Sequence, residues 1–195
     1  MSVKRAASGI GTKQRILEVA TGLMQARGFH GFTFHDVAAE LGISHVAVHH
    51  HYKTKAALVE AAMLAYTERF SAELEQIAAS GEQPEDQLRS YAALFDAVVQ
   101  SGDRVCLCGV LAAELATLPA PVQPAVRAFY DANEAWLARV IGRHVGKRSS
   151  SARVQQMAKA FLSLLEGAMI SARAFGDPAR LSSAAQWWID TLPAA

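Results

Sequence analysis

Two groups of residues in this 195-residue chain have side chains capable of chemistry at short spacing. The first is a histidine cluster, His45, His49, His50 and His51. His45 and His49 stand four apart, so on a helix they share a face and could grip a metal ion. That face offers only two ligands, with no Cys or acid close by, so solvated imidazoles facing an anion are the preferred reading; no metal and no cofactor are expected. The second group is Cys106-Leu107-Cys108-Gly109. This stretch opens a helical segment, and thiolates are favoured at helix N-termini. Inert burial is the preferred reading of these thiols, and electrophile or oxidant sensing through Cys106 is the alternative. Two helical thiols two residues apart point about 200° apart, so no disulfide between them is expected. The chain has no Ser/His/Asp arrangement, phosphate loop, His-Glu-x-x-His motif or paired-carboxylate motif, and an enzyme is not expected.

The charge distribution narrows the class. The net charge is only +1. Residues 1–55 nevertheless carry seven Lys/Arg against three acids and hold six of the seven histidines. The remainder carries twelve basic and fifteen acidic residues. A basic head on a mildly acidic body suits a module that meets phosphate, joined to one that does not. No apolar run approaches the ~20 residues that span a bilayer, and the basic start, Met1 to Arg5, has no apolar stretch behind it as a signal peptide would. No membrane partner and a cytoplasmic location are expected.

The elements that must position these residues read almost entirely as helix. Breakers fall at Gly28/Gly31, Gly42, Gly81/Pro84, Gly102, Pro119/Pro121, Gly146 to Ser151 and Gly176/Pro178. No segment alternates as a strand would. The first helix runs from Thr12, as N-cap, to Arg27, with Ile16, Val19, Ala20, Leu23 and Met24 on one stripe. The second begins at Thr33, with Asp36 placed for a capping box, and ends at Gly42. Ser44 caps a short third helix, about His45 to His51. A long fourth helix spans about Lys55 to Ala79, capped by Thr54. Later helices are expected at 84–101, 103–118, 121–146, 151–175 and 178–193.

Two short helices, a turn containing Gly and a small residue, Ala38, where they cross make a helix-turn-helix. Val37, Leu41, Ile43, Val48 and Tyr52 fasten it to the first helix. The second helix of such a unit enters the major groove N-terminus first, exposing His45, Val46, Ala47, His49 and His50. Thr33 and Ser44, at helix N-termini, suit phosphate. Imidazoles gain charge in mild acid, so tighter DNA binding at pH 6 than at pH 8 is expected.

The stretch Thr33-Phe34-His35-Asp36-Val37-Ala38-Ala39-Glu40-Leu41-Gly42-Ile43-Ser44, continued by His45 to Leu58, resembles the N-terminal domain of the TetR/AcrR family. The Gly-Ile-Ser turn, the aromatic Tyr52, Lys55 and Leu58 carry the likeness. The resemblance implies an all-α homodimer: a three-helix DNA-binding domain, residues 1–54, and a helical ligand-binding and dimerisation domain, residues 55–195. It implies phosphate or groove-edge contacts from Thr33, Ser44, His45, His49 and Lys55, with Tyr52 in the same DNA-binding set, and base contacts from Val46, Ala47 and His50. His49 replaces the family's usual Tyr and Ala56 its usual acid. With few Arg or Lys on the recognition helix, contact of Val46 or Ala47 with thymine methyls carries part of the specificity.

In the body, Tyr66, Phe70, Tyr91, Phe95, Cys106, Val110, Phe129, Trp136, Met157 and Phe161 are candidate walls of a pocket for a small apolar or aromatic effector, with Glu114 and Glu166 as polar anchors. Phe161, Leu165, Ala168, Ala172, Leu181, Ala185 and Trp188 are the candidate dimer stripe on the last two helices. The expected protein is a repressor released from a palindromic double-stranded DNA operator when its effector binds. A Cys106 thiol sensor and an activator are the alternatives.

Overall fold

The computed structural model describes residues 11–193; the basic Lys4 and Arg5 lie outside them. Among the described residues every regular element is a helix: α1 (Thr12–Arg27), α2 (Phe34–Leu41), α3 (His45–His51), α4 (Lys55–Ala79), α5 (Pro84–Gln100), α6 (Leu107–Ala113), a 3-10 turn (Leu115–Thr117), α7 (Val122–His144), α8 (Ala152–Phe175) and α9 (Ala179–Asp190). No helix among them is long and apolar enough to cross a membrane.

Local chemistry sets most boundaries. Thr33 and Asp36 form the expected reciprocal capping box on α2. Ser44, Thr54 and Ser151 accept the third backbone N–H of α3, α4 and α8. Pro84 opens α5, where its missing N–H costs nothing. Gly42 takes the left-handed conformation, φ 65°, that lets α2 end and α3 begin three residues later. Two expectations are corrected. Gly11, not Thr12, is the N-cap of α1, with no side-chain cap. The helix expected over 103–118 is shortened to Leu107–Ala113. Val105 instead runs beside α1 and donates its N–H to the Gln25 carbonyl at 3.3 Å, and Asp103 pairs with Arg173 at 2.6 Å. Tertiary partners outbid helical hydrogen bonds there.

The first three helices pack as a small head. Ile16, Ala20, Met24, Val37, Ala38 and Val48 are buried at its centre. α4 leaves the head and continues into the body, against α7. At 25 residues it is about 37 Å long. In the body α7 packs on α8 and α8 on α9, and α5 lies across α7 and α9. α1 also rests on α6, so the head meets the body at a second place besides α4.

Candidate nucleic-acid interface and a buried thiol centre

In the head, the outer face of α3 is exposed at His45, Val46, His49, His50 and His51, while Val48 is buried beneath it. Val46 is 64% exposed, an apolar side chain held out with nothing of its own chain to cover it. Ala47 is half-buried. His45 stacks on His35 with ring centroids 4.6 Å apart, and His49 meets the edge of Phe34 at 4.5 Å. These contacts hold two imidazoles of α3 in place beside the N-terminus of α2. Thr33 and Ser44 are exposed at helix starts. The Thr33 hydroxyl donates to Asp36 at 2.6 Å, and the Ser44 hydroxyl accepts from Ala47 N–H at 3.2 Å. Hydrogen bonding by Thr33 holds the Asp36 carboxyl below the usual carboxylate range.

Tyr52 and Lys55 are placed differently. Tyr52 is buried, its hydroxyl has no hydrogen-bond partner, and burial pushes that hydroxyl's pKa up. The Lys55 ammonium donates to the Phe32 carbonyl at 2.5 Å and lies 4.4 Å from the Phe32 ring and 4.6 Å from the Phe29 ring. Burial lowers the Lys55 pKa. Its side chain stitches the α1–α2 loop to α4.

In the body, the candidate pocket walls divide. Tyr66, Phe70, Tyr91, Phe95, Phe129, Trp136 and Phe161 are buried and packed ring against ring, with centroids between 5.1 and 6.2 Å. They fill the space between the helices with one another. Tyr91 donates to Asn133 at 2.9 Å and Trp136 to the Leu74 carbonyl at 3.2 Å. Met157 is half-buried. Val110, Glu114 and Glu166 instead line a cleft of about 400 Å³ where α1, α6 and α8 meet, with Arg27, Gly28, Val105, Gly109, Ile170 and Arg173.

Beside this cleft lies a cluster that sequence spacing did not resolve. Cys106 is the N-cap residue of α6, so helical periodicity does not apply to it. Both cysteines are free and buried, the Cys106 sulfur at the N-terminal end of α6. Tyr66 Oη is 3.8 Å from the same sulfur. Burial alone would push the Cys106 thiol up. Hydrogen bonds from the Cys108 thiol, the Gly109 N–H, the Glu166 carboxyl and the Cys108 N–H outweigh it and bring it down to about 6. Burial and the neighbouring sulfur push Cys108 up, and the same two causes push the Glu166 carboxyl up. Of the three, Cys106 is the one favoured as the anion, while Cys108 and Glu166 are favoured to keep their protons. A Cβ at Gly109 would meet Glu166 Oε2, so the carboxyl sits where a side chain of residue 109 would otherwise be. Glu166 is 9% exposed, and its other oxygen, Oε1, is buried with no hydrogen-bond partner.

The candidate dimer residues Phe161, Leu165, Ala168, Ala172, Leu181 and Ala185 are buried within the single chain, and Trp188 stacks on Phe161 at 4.3 Å. On the outer side of the same two helices, Leu164, Gly167, Ala168, Ser171, Ser183 and Ala184 line a shallow groove, and Trp187 is 64% exposed.

Comparison with known families decides the class. Residues 16–62 match the bacterial regulatory proteins of the tetR family, and residues 84–188, more than half of the chain, match the tetracyclin repressor-like C-terminal domain. The chain belongs to the TetR family of transcriptional regulators. A TetR regulator from Legionella pneumophila is similar over 95% of this chain and 100% of its own, with 27% identity and a TM-score of 0.89. One from Agrobacterium tumefaciens is similar over 93% and 97%, with 28% identity and a TM-score of 0.85. The reduced form of NemR from E. coli shares the fold at 19% identity and a TM-score of 0.77, over 94% and 98%. Comparison with curated proteins gave no match.

Proposed function

We propose that this TetR-family regulator is a homodimeric repressor that holds a palindromic operator through α3 and is released when chemistry at Cys106 alters the body. The observation that carries this reading is the buried Cys106 thiol at the N-cap of α6, 3.8 Å from Tyr66 Oη and lowered by its hydrogen-bonding neighbours to about 6. A structural thiol in an apolar core stays protonated and inert, whereas the thiolate is the nucleophile. Such a group next to a cleft that touches both head and body is placed to convert a reaction into a change in how the two parts sit.

In the head, Ser44, Thr33, His45 and His49 meet phosphates and Val46, Ala47 and His50 meet base edges. Tyr52 acts from within, supporting α3. Lys55 supports the loop before α2, so its part in phosphate contact is indirect. The groove on the outer side of α8 and α9 packs against its copy in the partner, giving an isologous interface and a two-fold symmetric operator. Domain roles divide at residue 54, and the protein works in the cytoplasm, where DNA and reduced thiols are found together.

A reversible apolar effector is the second reading. The cleft's Val105, Val110, Ala113 and Ile170 favour it. The two are separated by treating the protein with a maleimide, locating the adduct by mass spectrometry and measuring affinity for a DNA site selected by the purified protein. Loss of affinity in the native chain but not in Cys106→Ser supports thiol control. Equal affinity before and after modification of Cys106 contradicts it and leaves the reversible reading.

A further inference from the structure

We infer that the cleft between α1, α6 and α8 is the access site for a small α,β-unsaturated carbonyl compound, and that Glu166 is the acid that completes its addition to Cys106. This inference rests on the thiol reading above and adds to it the class of compound, the route and the proton donor.

The geometry carries it as follows. Glu166 and Gly109 line the cleft, Val105 and Val110 on either side of the Cys106–Gly109 stretch line it too, and Glu166 and Gly109 are among the groups that lower the Cys106 thiol. They are the shared boundary between cleft and sulfur. At Gly109 the boundary lacks a side chain, and Glu166 occupies the space that leaves. Glu166 Oε1 is a buried carboxyl oxygen without a partner, an arrangement that costs free energy unless a ligand satisfies it. The rest of the lining is largely apolar, with Val105, Val110, Ala113 and Ile170 suited to a short carbon chain.

Conjugate addition needs a nucleophile and, in the same place, an acid. The Cys106 thiolate forms a C–S bond to the β-carbon. The electron pair of the carbon–carbon double bond moves towards the carbonyl as an enolate. The Glu166 proton passes to that enolate, leaving a neutral thioether and a Glu166 carboxylate. No oxidant, metal or second thiol is consumed. Alkylation by simple displacement, by contrast, expels its own leaving group and needs no proton.

The product state differs from the starting state in where the charge lies. A carboxylate at Glu166 is unpartnered and buried, which is unfavourable. Arg173 lines the same cleft two helical turns along α8. Its guanidinium now donates to the Ala26 carbonyl of the head at 2.8 Å and pairs with Asp103 at 2.6 Å. Attraction between the new carboxylate and Arg173 draws that guanidinium away from Ala26, loosening the seam on which α1 rests.

The test uses the full chain and two reagents, methyl vinyl ketone and iodoacetamide, with Cys106 adducts counted by mass spectrometry. In Glu166→Gln the rate with methyl vinyl ketone should fall by about a hundredfold relative to that with iodoacetamide, because an amide donates a hydrogen bond but no proton. Glu166→Asp should recover part of that ratio. Ala113→Trp, an exposed substitution at the cleft, should slow both reagents on the native carboxyl background. Using the ratio on one variant cancels any general loosening of the fold. An unchanged ratio in Glu166→Gln, or undiminished rates in Ala113→Trp, overturns the inference while a reactive Cys106 leaves the thiol reading intact. A Cys106 that neither reagent labels in the folded protein overturns both.

Discussion

Cys106 and Glu114 cap opposite ends of α6, a helix of seven residues, and each binds something α6 does not own. The Cys106 sulfur lies 3.8 Å from Tyr66 Oη, on α4. Glu114 Oε2 accepts the Phe29 N–H of the head at 2.6 Å, and the neighbouring Thr117 Oγ1 lies 3.0 Å from His30 Nε2. A rigid helix of about two turns thus connects the sulfur to the loop that leads into α2. A shift at one cap is felt at the other, since a packed helix moves as a unit.

Removing the second cap should break that connection. Glu114→Ala leaves the Phe29 N–H without its charged acceptor, a loss of about 1–3 kcal/mol. We expect a lower Tm and, at a temperature where the variant is folded, a smaller difference in operator Kd between free and Cys106-alkylated protein. A coupling as large as in the parent chain would show that α6 does not carry the signal.

The pH profile of alkylation should reveal the thiolate. The deprotonated form reacts, so the rate of Cys106 with iodoacetamide should climb as pH rises through about 6 and level off by neutral pH. An ordinary thiol is still gaining rate above pH 8. Cys108→Ser keeps a donor beside the sulfur, whereas Cys108→Ala removes it and should move the rise to higher pH.

On DNA, phosphate and base contacts should separate. Val46→Ser should cost about 1–3 kcal/mol at one base position of the selected site and leave the salt dependence unchanged. Fluorescence anisotropy on single-base variants of the selected site at several salt concentrations checks this; an equal loss at every base position would remove Val46 from base contact.

The dimer prediction has a clean variant. A Cβ at Gly167 meets nothing of its own chain within 4 Å, so Gly167→Arg should leave the protomer folded. It would put a charge in the groove of α8 and α9. Sedimentation should show a monomer with weakened operator binding; a dimer of undiminished stability would place the interface elsewhere.

Most of the head was legible in the sequence because its boundaries depend on a residue's own chemistry: Thr33 with Asp36, Gly42, Ser44 and Thr54 are local signals, and only the start of α1, which has no side-chain cap, was misplaced. The body was less so. Phe70, Tyr91, Phe129 and Trp136 have the same composition whether they line a void or fill it, and only their mutual packing distinguishes the two. Both thiols are free and buried, as expected, although an angle taken from helical periodicity does not apply to Cys106, which precedes α6 where Val105 bonds to α1 instead of continuing a helix. Lys55 looked like a surface cation and is drawn inward by two aromatic rings that are distant in sequence. Glu166 and Gly109 are 57 residues apart, and no spacing rule joins them.

The central claim is that a reaction at Cys106 governs DNA binding. Operator Kd, measured on the full chain before and after stoichiometric modification of Cys106 and alongside Cys106→Ser under the same treatment, tests it most directly. The account predicts that affinity falls by about tenfold or more, a coupling within the usual 1–3 kcal/mol range, in the native chain alone. An unchanged Kd with Cys106 fully modified would contradict it.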